Sequence, residues 1–287
     1  MKNLKVKKEK KVKKIKNKTL ADVFVEENEG NKIKISVKNL TKEFESKQVV
    51  SDVSFDVYEG EFLSILGPSG CGKTTILRML IGLIEPTSGV ILKNGQDITN
   101  EKISKRGMGM VFQNYALFEN MNVLQNVEYA LKIKKETKDT ARETALSLIK
   151  KMKLEEYANK KPADLSGGQQ QRVAIARALA LQPDVILFDE PMSALDVETR
   201  LSLCQELKDI QKKFKTTMIY ITHDQEEAFT LSDRIMVMNF SKIVQIGTPD
   251  EILQNPADSY VKKFVCENLT KKINALRRFA ELTNEEK

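Results

Sequence analysis

The sequence predicts an α/β fold in which a mainly parallel sheet is covered by helices. Three observations carry this. The stretches 62–66, 184–189 and 217–222 (FLSIL, DVILFD, TMIYIT) are short, continuous apolar runs, the pattern of strands buried on both faces. Stretches of helical character lie between them, at 73–83, across much of 117–181 and at 195–214. Strands alternating with helices build parallel sheets through crossover connections. Composition agrees: 41% of the 287 residues are hydrophobic and 30% charged, which excludes a mainly disordered or collagen-like chain.

The net charge of +7 is concentrated at one end. Residues 1–18 carry ten lysines against the single acid Glu9, so this leader is +9 and the rest of the chain −2. A basic nucleic-acid-binding body is therefore not supported. The leader has no continuous apolar stretch and is not a secretory signal. It reads as a solvated, disordered segment, or alternatively as one attracted to an anionic membrane face. No apolar run reaches the ~18–20 residues that a membrane span needs. Cys71, Cys204 and Cys266 form no pair motif, and with one histidine in the chain no Cys/His zinc set can be built. This cysteine usage suits a reducing cytosol.

After the leader (1–32), Ile33, Ile35 and Val37 alternate with Lys34 and Ser36, and Val53, Phe55 and Val57 alternate likewise. Both read as strands with one buried face. Pro86–Gly89 and Asn94-Gly95 are turn signals around the short run Val90–Leu92. Residues 140–152 are rich in good helix formers. Near the end, Leu269, Ile273, Leu276 and Ala280 are spaced 4, 3 and 4 apart, one face of an amphipathic helix over 266–287. It either docks on the body or serves a partner.

Gly67-Pro68-Ser69-Gly70-Cys71-Gly72-Lys73-Thr74 fits G-x-x-x-x-G-K-[ST], after a buried strand and before a helix. That context identifies a phosphate-binding loop. Glycines let the backbone turn its N–H groups inward, and the helix start adds positive dipole. Lys73 supplies a point charge for the β- and γ-phosphates, and the Thr74 hydroxyl can ligate Mg²⁺. Cys71 reads as a small filler. The complementary acids stand at the end of another buried run: Asp189 to hold Mg²⁺ through water, and Glu190 to orient or deprotonate an attacking water.

A second helix start of the same kind follows Leu165. Ser166 is a good N-cap, Gly167 and Gly168 come next, and Gln169–Leu181 is helical. Two phosphate cradles in a chain with one acid pair point to sharing between subunits.

These motifs resemble the ATP-binding cassette (ABC) ATPases, over about residues 33–264. Gly67–Thr75 is similar to the family's Walker A, Leu165–Gln169 to its signature, and Val185–Glu190 to its Walker B. Gln113 matches the Q-loop, Ser193–Asp196 the D-loop, and His223, the only histidine, the switch histidine. Phe44, 23 residues before Gly67, is similar to the aromatic that stacks on adenine, although it also reads as an ordinary core or surface aromatic. The resemblance implies a P-loop NTPase core within 33–265, an N-terminal antiparallel β subdomain, and a helical subdomain at about 117–181. It implies a head-to-tail dimer with a second ABC ATPase subunit, a homodimer in the simplest case. ATP would lie between Walker A of one copy and the signature of the other, including Thr75, Ser166, Gly167, Gly168, Gln169 and Asp196. Lys73, Gln113, Glu190 and His223 would be catalytic, with Thr74, Gln113 and Asp189 at Mg²⁺.

Residues 108–127, 222–239 and 246–265 look like the importer ATPases of the maltose, polyamine, sulfate and ferric-iron type. That likeness implies a peripheral position on the cytoplasmic side of the cell membrane. It implies permease subunits docked near Asn114–Asn126 and a solute-binding protein in the complex. Tyr115, Leu117, Phe118 and Met121 would line the docking groove or, alternatively, the helical-subdomain core. Such importers usually carry a β-rich regulatory domain of about a hundred residues further on. Only 22 residues follow Val265, so that domain is expected to be absent or replaced. Alternative readings are a soluble ABC ATPase acting on ribosomes or nucleic acid, and an exporter ATPase. A single cassette, and a separation of only 93 positions from Lys73 to Ser166, argue against the soluble types.

Overall fold

The first two strands, β1 (Ile33–Phe44) and β2 (Lys47–Tyr58), pair antiparallel, and β4 (Ser88–Lys93) and β5 (Gln96–Asp97) extend them into a sheet ordered β2-β1-β4-β5. The second sheet is built from β3 (Phe62–Leu66), β6 (Met108–Val111), β7 (Val185–Asp189), β8 (Thr217–Thr222), β9 (Arg234–Asn239) and β10 (Lys242–Gly247). Its order is β10-β9-β3-β8-β7-β6. Every neighbouring pair is parallel except the β9–β10 hairpin. The computed structural model describes residues 32–45, 47–134, 137–193 and 195–274. The lysine leader, Ala194, Leu276 and Ala280 lie outside the described residues. The chain divides into two units, Met1–Lys32 and Ile33–Lys287, and every element named here belongs to the second.

All residues of β3, β7 and β8 are buried, which is what their unbroken apolar runs require. Side chains alternate across a strand, so the sheet feeds two cores. Leu63, Ile65, Ile219 and Ile221 pack with Ile76 and Leu80 of α1 (Lys73–Ile81) and with Ile35 and Val37 of β1. Phe62, Phe188 and Tyr220 face the other way. They meet residues of α2 (Val123–Ile133), α3 (Ala141–Lys151), α4 (Gly167–Leu179) and α5 (Val197–Phe214). The remaining helices include α6 (Gln225–Leu231), which packs on β3 and β8, and α7 (Pro249–Gln254), beside β9 and β10. No helix among the described residues is long and apolar enough to cross a membrane.

The alternation expected at β1 holds from Ile35 onward but not before it. Lys34 is buried and Ile33 is 43% exposed. A register shift between Ile33 and Ile35 turns the lysine inward, where Asp184 at 2.7 Å supplies the opposite charge. The two lysine contacts, from Lys34 and Lys93, hold Asp184 below the usual carboxylate range although burial opposes them. Helix α1 stops two residues before the expected Leu83. Gly82 adopts φ 89° there, and the Gly82 and Leu83 N–H groups close back on the Arg78 carbonyl, the usual glycine stop.

Arg106, 3% exposed, secures that helix end from outside. It donates to the carbonyls of Met79, Leu80, Thr99 and Glu101 at 2.7–2.9 Å. Replacing it by methionine leaves the Leu80, Thr99 and Glu101 carbonyls without this donor, each costing ~1–3 kcal/mol where it stays buried, while the Met79 carbonyl keeps the Gly82 N–H at 3.2 Å. Arg106→Met is expected to destabilise the fold by about 3 kcal/mol or more, read as a lower urea midpoint. An unchanged midpoint would refute the clamp.

At the C-terminal end the chain is helical from Ser259 to residue 274, with a π-helical stretch at Lys262–Glu267. Leu269 packs against the cluster around Ile235 and Val265, while Ile273 is 56% exposed.

Candidate functional site

The loop between β3 and α1 is shaped by its contacts. Gly72 has φ 102°, and a Cβ there would stand 2.5 Å from the Val49 carbonyl oxygen, so neither the angle nor the space admits another residue. Helix α1 consequently starts without a side-chain cap, whereas α4, α5, α6 and α7 are capped by Ser166, Asp196, Asp224 and Thr248. Its first-turn N–H groups are thus presented together with the positive end of the helix dipole, a built anion site. Lys73, 4% exposed, donates to the carbonyls of Gly67 at 2.7 Å and Pro68 at 3.0 Å. Ser69 and Gly70 are exposed at the loop tip. Cys71 is buried, and burial raises its thiol pKa despite the nearby Lys73, which suits a packing residue.

The acids meet this loop across the sheet. Thr74 Oγ1 donates to Asp189 Oδ1 at 2.9 Å, placing two hard oxygen donors side by side, as magnesium sites require. Burial raises the Asp189 pKa, with the Thr74 hydrogen bond acting against it. Glu190 has φ 44°, an uncommon conformation for a residue with a side chain and one that concentrates at functional sites. Its carboxylate lies 3.7 Å from Lys73 Nζ and 3.0 Å from His223 Nδ1. Gln113 Nε2 donates to Ser193 Oγ at 3.4 Å, and Ser193 shares a small cavity with Glu190 and His223. Lys73, Thr74, Asp189, Glu190 and His223 therefore form one continuous set, and Gln113 joins it through Ser193.

The other expected residues sit elsewhere in the single chain. Ser166 and Gln169 close a reciprocal cap on α4. Gly167 and Gly168 pack on Leu195 and Thr199, where a Cβ on Gly168 would come 2.7 Å from Thr199. Asp196 caps α5 through the Thr199 N–H and hydroxyl. Thr75 is half-buried in the first turn of α1. Phe44 is 44% exposed at the end of β1, with Lys42 Nζ 4.9 Å from its ring centre.

The stretch 114–126 divides between core and groove. Tyr115 is buried and Leu117 packs on the core. Phe118 lines a groove of about 940 Å³ with Ile103, Phe112, Tyr129, Arg177 and Leu181. Phe118 and Tyr129 stand 4.6 Å apart, and the Arg177 guanidinium lies 5.3 Å from the Phe118 ring. Buried Asn126 pins the loop, bonding to Phe118, Met121 and Asn122. Sequence reasoning missed Tyr129 and Arg177, and named Asn126 only as the end of the docking stretch. Met121 is half-buried, away from the groove lining.

The model of the ABC transporter family matches residues 50–193. The chain belongs to the ABC transporter family. Within it, the chain is similar to curated spermidine/putrescine import ATP-binding proteins PotA. That of Marinobacter nauticus is 47% identical over 233 residues, 81% of this chain and 62% of the relative. That of Mycoplasma capricolum is 48% identical over 231 residues, 80% and 66%. That of Thermotoga maritima is 47% identical over 238 residues, 83% and 65%. The chain thus spans about two thirds or slightly less of the length of the family members it matches.

Proposed function

We propose that this chain binds and hydrolyses ATP and, through that cycle, energises uptake of a polyamine-class solute by membrane-embedded permease subunits. The observation that carries the proposal is the convergence of the uncapped α1 start and Lys73 with Asp189, Glu190 and His223. The names of the relatives reported above support the import role and the spermidine/putrescine class. Unit 33–265 would be the ATPase core, with 117–181 as its helical subdomain.

In this reading the Gly67–Thr75 backbone and Lys73 bind the phosphates, and Phe44 stacks on the base. Thr74 and Asp189, with Gln113 nearby, would hold magnesium, which supplies positive charge to the phosphate oxygens. Glu190 takes the proton of the attacking water as the terminal P–O bond breaks, and His223 holds the Glu190 carboxylate and faces the terminal phosphate. Ser166–Gln169 and Asp196 complete the site of a second copy. This explains why a single chain leaves the Ser166 cap apart from Lys73. The complex would include a solute-binding protein and lie at the cytoplasmic membrane face.

The groove beside Phe118 suits a permease helix, having apolar walls and exposed lining residues such as Leu181 and Leu83. The test is coupled uptake in vesicles carrying the chain and its permease subunits, with ATP on the chain's side. Labelled spermidine is expected to accumulate, and Phe118→Glu is expected to release most of the chain from sedimented membranes. Absence of uptake and of ATP hydrolysis would overturn the reading.

A further inference from the structure

Arg200 stands four residues beyond Asp196, in the first turns of α5. Its guanidinium reaches three places. Nη2 donates to the Leu195 carbonyl at 3.0 Å. Nη1 donates to Asp224 Oδ2 at 3.3 Å. Nε stands 3.5 Å from Glu227 Oε1. Glu227 is 6% exposed, and its other oxygen accepts from Tyr220 Oη at 2.8 Å and Thr222 Oγ1 at 2.7 Å. Thr222 Oγ1 in turn accepts from the Asp224 N–H at 2.9 Å. The residues on both sides of His223 are therefore tied to one guanidinium. That guanidinium also holds the carbonyl next to Asp196. No hydrogen bond joins Arg200 to His223 among the described residues, yet the two line the same small cavity with Glu190.

We infer that Arg200 is a positioning residue that locks the turn before α5 to the His223 segment, so that His223 meets Glu190 in the geometry hydrolysis needs. The inference rests on the ATPase reading above. A planar fork with fixed donors can serve the Leu195 carbonyl and two carboxylates at once; a lysine there supplies charge but not that geometry. An Arg200 loss alone would also leave Glu227 buried without its cation, a cost to folding unrelated to positioning. Replacing both removes this cost and isolates the positional effect.

The experiment compares steady-state hydrolysis by wild type, Glu227→Gln, the double variant Arg200→Met/Glu227→Gln, and Arg200→Lys. The double variant is expected to lose about 10–100-fold in kcat relative to Glu227→Gln, the scale of a small misplacement at a reacting centre. Its KM for ATP is expected to stay within about threefold, as loss of an interaction that matters only in the transition state requires. Arg200→Lys is expected to fold normally and still lose kcat. Because His223 is the only histidine, its imidazole signals in a ¹⁵N NMR spectrum report on one site. They are expected to shift in the double variant. Equal kcat for the double variant and Glu227→Gln, a wild-type rate in Arg200→Lys, a loss confined to KM, or unmoved imidazole signals would each overturn the assignment. A wild-type chain without ATP hydrolysis would remove the ATPase reading and this inference together. An active wild type with unimpaired variants removes only the role of Arg200.

Discussion

Glu190→Gln is expected to bind Mg-ATP and turn it over about 10²–10⁴-fold more slowly, the range that a positioned general base contributes. The glutamine keeps the shape of the side chain and can still meet His223, 3.0 Å away. What it loses is the capacity to accept the water proton. The negative charge facing Lys73 at 3.7 Å also disappears. Phosphate binding at the loop should therefore not weaken. An ATP-loaded dimer should accumulate, visible as an earlier peak in size-exclusion chromatography with Mg-ATP. The strained φ of 44° at Glu190 strengthens the expectation, since such a conformation survives only where the surroundings enforce it. Here the Glu190 N–H bond to the Ile221 carbonyl at 3.2 Å does so. Wild-type turnover in this variant would remove Glu190 as the base.

How far the sequence could be read depended on how local each signal was. The strands β3, β7 and β8 were legible because burial on both faces demands an unbroken apolar run. The Gly67–Thr74 loop was legible because one short segment carries glycines, lysine and helix start together. The groove was read less well. Tyr115 and Ala116 both take positive φ, which turns the chain sharply after Gln113 and sends Tyr115 into the core while Phe118 stays at the groove. No spacing rule exposes such a turn in residues other than glycine. Arg106, Arg200 and Glu227 were invisible for another reason. Each is a charged residue whose partners lie on separate elements, and the sequence shows only a charge in a helix or loop. Lys34 illustrates the same limit: its burial depends on Asp184, 150 residues further on.

Lys73→Ala is expected to weaken ATP binding by at least about tenfold. The residue is nearly buried, so its ammonium acts where water screens little. Hydrogen bonds to a charged group are worth roughly 1.5–3 kcal/mol each, and about 1.4 kcal/mol is one factor of ten in affinity. Loss of a single bond to a phosphate oxygen thus already gives that change. The side chain also has a structural task, since it holds the Gly67 and Pro68 carbonyls at 2.7 and 3.0 Å. A drop in affinity could therefore reflect a loosened loop. Lys73→Arg separates the two. Arginine keeps the charge and donors for the carbonyls, but presents them on a larger planar fork instead of a compact ammonium. If charge alone decides, Lys73→Arg retains most of the affinity lost in Lys73→Ala. If the compact ammonium is needed, both lose it while thermal unfolding stays near wild type. Titration with a fluorescent ATP analogue reads the result, since the chain contains no tryptophan to interfere. Unchanged affinity in Lys73→Ala would mean that the phosphates are not held by this loop.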